Sequence, residues 1–322
     1  MPADTPPAMP TANGPPPTLA EAQRWVASYT AAHRENFAVM SRLLPSELRS
    51  GFAAVYAYCR FSDDLADDPG DAADRLDRLA DWREGLEACF AGRPGHPIFV
   101  ALAPEIETHG LTVEPFGDLL DAFVQDQTVT RYDDRTALLE YCRRSANPVG
   151  RIVLRLFGGA DGEADRLSDA TCTGLQLVNF WQDVRRDALE RDRGYVPRDV
   201  ALRHGLDVDA LMRTLRDGGD PAPHAEAFGH ALEELCAWTE TYFRAGRGLW
   251  GCFTGRRGYA LRLFTLGGES ILRKVGRAGA GVLWRRPSPG KASRVACAVR
   301  ALPGLWALSA TDTGGHAEAS RG

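Results

Sequence analysis

The sequence predicts an all-α protein, and three observations carry that prediction. From Leu19 to about Trp284 the pattern is mostly helical and rich in Ala, Leu and Arg. Alternating β-branched runs between turn signals are hard to find. Helix-ending punctuation recurs at Pro45, Pro69-Gly70, Gly92 to Pro97, Pro115, Gly158-Gly159, Gly194 to Pro197 and Gly218 to Pro223, dividing the chain into about ten helices. With 322 residues and 44% hydrophobic content, the chain can fill a substantial core. No repeat of fixed period is present, which argues against a helical solenoid.

Taken in order, residues 1–18 are dominated by Pro, Ala, Thr and Gly without an apolar period, and read as a loose tail. The segment from Gly51 to Asp68 opens as a buried-looking helix and closes on Asp63, Asp64, Asp67 and Asp68. Helical spacing puts Asp63 beside Asp67 and Asp64 beside Asp68, where like charges repel and call for compensation. Arg60, one turn earlier, would be available to a diphosphate. Further on, Tyr141-Cys-Arg-Arg-Ser-Ala-Asn-Pro-Val-Gly150 runs a helical pattern into Pro148, whose missing N–H should kink or break the helix.

A second acidic segment spans Leu175 to Asp187. Gln176, Asn179, Asp183 and Asp187 line one stripe, while Leu177, Val178, Phe180, Trp181 and Val184 are apolar and place the helix inside. A carboxylate in such surroundings is costly unless it meets a cation or a metal. Oxygen-only ligands point to Mg2+, a hard ion commonly held by a few carboxylates and substrate phosphate oxygens. Acidic residues at helical spacing are most often a solvated face, and Arg185 and Arg186 keep weight on that plainer reading; two such motifs in apolar helices shift the balance.

Composition narrows the partners. The net charge of -5, with no aromatic-basic signature or cysteine-histidine finger, argues against nucleic acid. Seven scattered cysteines without CxxC spacing, and no secretory signal, point to a reduced cytoplasm. No apolar run approaches the roughly 20 residues of a bilayer span. Gly246-Arg-Gly-Leu-Trp-Gly251 matches a dinucleotide fingerprint but follows a helical pattern rather than a strand, so no nicotinamide is expected. Residues 286–322 read as a basic tail. Between Glu269 and Asp312 there is no acid, while Arg273, Lys274, Arg277, Arg285, Arg286, Lys291, Arg294 and Arg300 all fall there. A flexible basic tail is the plain reading; peripheral contact with anionic lipid at the inner membrane face, aided by Leu302, Leu305, Trp306 and Leu308, is the sharper one.

Over roughly Ala31 to Val275 the chain resembles the squalene/phytoene synthase family. The resemblance rests on Tyr56-x-x-x-Arg60-x-x-Asp63-Asp64-x-x-Asp67, on the Tyr141 to Gly150 block, on Gln176-x-x-Asn179-x-x-x-Asp183-x-x-x-Asp187, and on Arg193-Gly-Tyr-Val-Pro197. It implies a single isoprenoid-synthase domain over residues 19–285, a helical bundle around a central cavity. It further implies that Asp63, Asp67, Asn179, Asp183 and Asp187 are catalytic ligands of Mg2+. Tyr56, Arg60, Tyr141, Gln176, Gln182, Arg193 and Tyr195 would line the substrate site.

Two departures from condensing members of that family stand out. Gln182 replaces the Arg that usually precedes the central Asp, and His33-Arg-Glu-Asn-Phe37 replaces a Ser-x-Ser-Phe diphosphate contact. Both look like the hydroxysqualene-forming branch, in which presqualene diphosphate ionises and water captures the rearranged carbocation. Candidate holders of that water are Gln182, Asn147 and His33, and aromatic candidates for steadying the cation are Tyr56, Phe37, Tyr141 and Trp181. A condensing head-to-head prenyl synthase and a catalytically silent assembly factor are the alternatives.

Overall fold

A computed structural model describes residues 15–32, 44–159 and 162–305. Thirteen α-helices occur among them. In chain order these are α1 (Leu19–Ala32), α2 (Arg49–Asp67), α3 (Ala72–Phe90), α4 (Pro97–His109), α5 (Glu114–Gln125), α6 (Arg135–Ser145) and α7 (Asn147–Leu156). Then follow α8 (Gly162–Arg191), α9 (Arg198–Arg203), α10 (Val208–Arg216), α11 (Ala225–Gly246), α12 (Gly255–Ala278) and α13 (Lys291–Ala301). No strand longer than an isolated bridge, Arg131 to Gly194, is found among the described residues. The tail read over residues 1–18 lies mostly outside them, as do His33 to Phe37.

Local chemistry accounts for the helix ends. Asp71 caps α3 by accepting from the Asp74 N–H at 2.8 Å, and Asp207 caps α10 from the Ala210 N–H at 2.9 Å. Pro97 opens α4, and Gly110 closes it in the left-handed conformation at φ 58°. Pro148 breaks the helix rather than kinking it: α6 stops at Ser145, Ala146 sits at φ -127°, and α7 starts afresh with the proline in its first turn.

The chain forms two compact units, residues 1–130 with 140–161, and residues 131–139 with 162–322. In the first, α2 packs against α1, α3, α4 and α5 around Tyr58, Trp82, Phe99 and Phe116, all buried. The Trp82 and Phe99 rings stack 4.2 Å apart, and Tyr58 meets Phe116 edge-on at 5.1 Å. Two polar groups in this core are paired: the Tyr58 hydroxyl donates to the Phe116 carbonyl at 2.9 Å, and the Trp82 indole to Ser62 Oγ at 2.9 Å. These bonds fix the roll of α2 and hence where its acidic end points.

In the second unit α8 runs about 45 Å and lies against α10, α11 and α12. Trp181 is fully buried and its indole donates to Thr239 Oγ1 of α11 at 2.8 Å. Leu177, Val178, Phe180 and Val184 are buried as their pattern requires. The basic C-terminal stretch, read as a loose tail, is helical over Lys291–Ala301 and rests on Leu266 of α12 through Cys297 and Ala301.

Candidate active site

The acidic end of α2 carries its own compensation. Arg60 reaches Asp63 at 3.2 Å and Asp64 at 2.5 Å, while Asp68 pairs with Arg78 of α3 at 2.8 Å. Asp64 also accepts from the Tyr29 hydroxyl of α1 at 2.6 Å, and burial together with this bond raises the Tyr29 phenol. Asp63 is half-buried and Asp67, the last residue of α2, is exposed. Tyr56 stands one turn before Arg60, half-buried, its phenol raised by burial. Sequence reasoning paired the four carboxylates with one another by spacing and missed Tyr29, which lies in another helix.

Tyr141 of α6 is buried and donates its hydroxyl to Asp126 at 2.8 Å. Asp126, just beyond α5, is itself buried, and nothing in its Gln-Asp-Gln context marked it out. Asn147 is buried beside the Pro148 break.

On α8, Asp183 and Asp187 are both mostly buried along their side chains, at 14% exposure each, whereas Asn179 is exposed and Gln176 half-buried. Burial first, and the Asp183 charge second, push the Asp187 carboxyl up to about 7 against the pull of Arg191, Arg186 and Arg193. Asp183 meets the Arg286 guanidinium, whose Nη2 donates to its Oδ2 at 3.0 Å. Gln182 is buried, donates to the Pro287 carbonyl and accepts from Arg286 at 3.3 Å. Arg185 holds the Leu283 carbonyl at 3.2 Å, so residues 283–287 are clamped along this helix. Arg286 was legible as a basic residue in an acid-free stretch, but its partner lies too far away in sequence for spacing to reveal.

Beyond α8, Asp192 takes the left-handed conformation at φ 49° and turns the chain, with Arg131 bonded to its carboxylate at 2.7 Å. That turn sets Tyr195 flat on Phe180, 3.8 Å between ring centroids. Arg193 and Tyr195 border a small apolar recess with Val184, Leu211 and Met212.

These residues fit a hard divalent cation in two respects. The donors are carboxylates and an amide, and Asp183 already holds a cationic group beside a buried Asp187 that Arg191 meets only at 3.8 Å. Among the described residues, no group of three or more His, Cys, Asp or Glu side chains is drawn together as a preformed metal cage.

An all-α fold bearing these two acidic helical motifs defines a protein of the isoprenoid synthase fold. The squalene/phytoene synthase family model matches residues 30–293, and the chain belongs to that family. It is 38% identical over 181 residues to a hydroxysqualene synthase of Zymomonas mobilis, covering 56% of this chain and 60% of that protein. It is 36% identical over 183 residues to a phytoene synthase of Thermus thermophilus, covering 56% and 61%. The chain thus spans about three fifths of the length of these curated relatives. The crystal structure of squalene synthase HpnC from Alicyclobacillus acidocaldarius superposes with a TM-score of 0.73 at 39% identity, covering 81% of this chain and 95% of that one. Among the described residues, no helix is long and apolar enough to cross a membrane.

Proposed function

We propose that the protein ionises presqualene diphosphate and that water captures the rearranged carbocation, giving hydroxysqualene and diphosphate. The observation that carries this choice over condensation is Gln182. The position next to the central Asp183 holds a neutral amide, committed to the Pro287 carbonyl and to Arg286, where condensing relatives usually place an arginine. Similarity to a hydroxysqualene synthase supports it, and similarity to a phytoene synthase keeps the condensing reading as the outcome to exclude.

In this reading Asp63, Asp67, Asn179, Asp183 and Asp187 hold Mg2+. When bound, the ion supplies Lewis-acid stabilisation to the departing diphosphate. Arg60 pairs with Asp63 and Asp64 and offers guanidinium N–H groups to diphosphate oxygens, a contact that gains strength as charge builds on the leaving group. Arg286 pairs with Asp183 and would have to yield that carboxylate for the ion to be held there. Tyr56, Tyr141, Gln176, Arg193 and Tyr195 line the substrate. The Tyr141 hydroxyl is committed to Asp126, which leaves the ring as the group available to the hydrocarbon.

The test is incubation of the purified protein with Mg2+ and presqualene diphosphate, then with farnesyl diphosphate alone, with products identified by mass spectrometry. Hydroxysqualene from the first and nothing from the second is expected. Condensation of the second without turnover of the first overturns the choice. Absence of any Mg2+-dependent diphosphate release would leave the assembly-factor reading standing. Asp63→Ala and Asp183→Ala should each lower turnover by about a hundredfold or more while helicity stays; full activity in both variants would remove the ligand assignment.

A further inference from the structure

Helix α13 is apolar on the side that faces away from the protein. Its core-packed positions are Cys297 and Ala301, set against Leu266, with Trp250, Tyr259 and Leu263 around them. Helical spacing places Val295, Val299 and then Leu302 on the opposite side, where they are 63%, 58% and 38% exposed. Ala292 and Ala296 are exposed on the same stripe. A helix packed on a globular protein ordinarily turns its polar side to water. Single exposed apolar residues need no explanation, but a stripe at i, i+4 and i+7 does.

The flanking charge identifies what covers this stripe. Lys291 and Arg294 border it on one edge and Arg300 on the other, all exposed, and no acid occurs between Glu269 and Asp312. The cations therefore stand out locally against a net charge of -5. A second copy of this chain would set cation against cation across a two-fold contact. Nucleic acid would leave the valines without a partner. A surface that is anionic outside and hydrocarbon beneath suits both.

We propose that the outward face of α13 docks on anionic phospholipid. Val295, Val299 and Leu302 enter the boundary between headgroups and acyl chains, while Lys291, Arg294 and Arg300 meet headgroup phosphates. The helix lies in the surface and does not cross it. This assignment rests on α13 alone and stands whichever isoprenoid diphosphate the protein uses.

Flotation of the full chain with vesicles of phosphatidylcholine, alone or with phosphatidylglycerol, tests it. Binding to the anionic vesicles at low salt is expected, with weakening as salt rises. The pair Val295→Asp and Val299→Asp, both exposed and so compatible with folding, should weaken partition by about tenfold or more with helicity unchanged. The independent set Lys291→Ser, Arg294→Ser and Arg300→Ser should cost about fivefold per cation. A chain ending at Leu305 should bind as the full chain does. Equal affinity for both vesicle types, or undiminished binding by the valine variants, overturns the proposal. So does loss of binding on removing residues 306–322, which would move the contact to that segment. A dimer in solution that the valine variants split would assign the face to a second copy instead.

Discussion

His96, at the start of α4, shows how one residue ties a helix cap to the pH limit of the fold. Its Nδ1 accepts from the Ile98 N–H at 3.2 Å, which requires that nitrogen to be unprotonated. The ring lies 4.8 Å from Trp82 and 5.0 Å from Phe61, and this apolar burial holds the imidazole down to about 4 from 6.5. In the unfolded chain it protonates near its ordinary value. Below about 6.5 the unfolded state therefore gains a proton that the folded state refuses, and stability falls with falling pH until the folded value is passed. The loss is up to about 3 kcal/mol. Urea unfolding at steps between those pH values should show it, and His96→Asn, which keeps a capping acceptor, should flatten the slope. Parallel slopes for the two proteins would discard the idea. At this scale the sequence was partly legible. Asp63, Asp183 and Asp187 stood out by spacing, whereas Tyr29, Asp126 and Arg286 did not, because hydrogen-bond partners on other helices leave no local pattern.

Helix contacts explain a motif that the sequence could only dismiss. Gly246-x-Gly248 sits where α11 ends and a short 3-10 turn, Arg247–Gly251, begins. A Cβ on Gly246 would lie 2.2 Å from Thr171 Oγ1 and 3.1 Å from the Leu167 carbonyl of α8, and one on Gly248 would lie 2.9 Å from the Leu167 side chain. The glycines are there for close helix approach rather than for a phosphate. Gly246→Ala should therefore destabilise the protein by about 1–3 kcal/mol, since backbone atoms of α8 are among those that must move. Gly251→Ala, which meets nothing within 4 Å, serves as the control. Equal thermal midpoints for the two variants would contradict the packing account. Helix ends were the most legible feature of the chain, because caps, prolines and glycines act within a turn or two. The break at Pro148 was legible as a disruption, but whether it bends or ends the helix depends on the φ of Ala146, which packing decides.

Across the whole molecule, the stability of each unit comes from its own apolar core. Tyr58, Phe99 and Phe116 anchor the first, and Trp181, Phe228 and Phe243 the second; all are among the most deeply buried side chains. The acidic motifs grow out of these cores without being part of them, and their charges find protein cations: Arg60 and Arg78 on one side of the division, Arg286 on the other. Family membership was legible from the residues of those motifs, whereas the two-unit organisation was not, since it follows from contacts rather than from composition. On the proposed function, this arrangement would separate metal dependence of activity from metal dependence of folding. Removal of divalent ions with a chelator should stop diphosphate release while helicity persists and the thermal midpoint moves by no more than about 2 °C, the shift expected from roughly 1 kcal/mol in a chain of this size. The contrast is with small metal-nucleated domains, in which the ion supplies the folding free energy itself. Parallel calorimetry and diphosphate assays on chelated and Mg2+-restored protein would decide the matter. A chelated chain that loses its cooperative transition would show that Arg286 and Arg60 do not suffice to hold the acidic motifs in the fold.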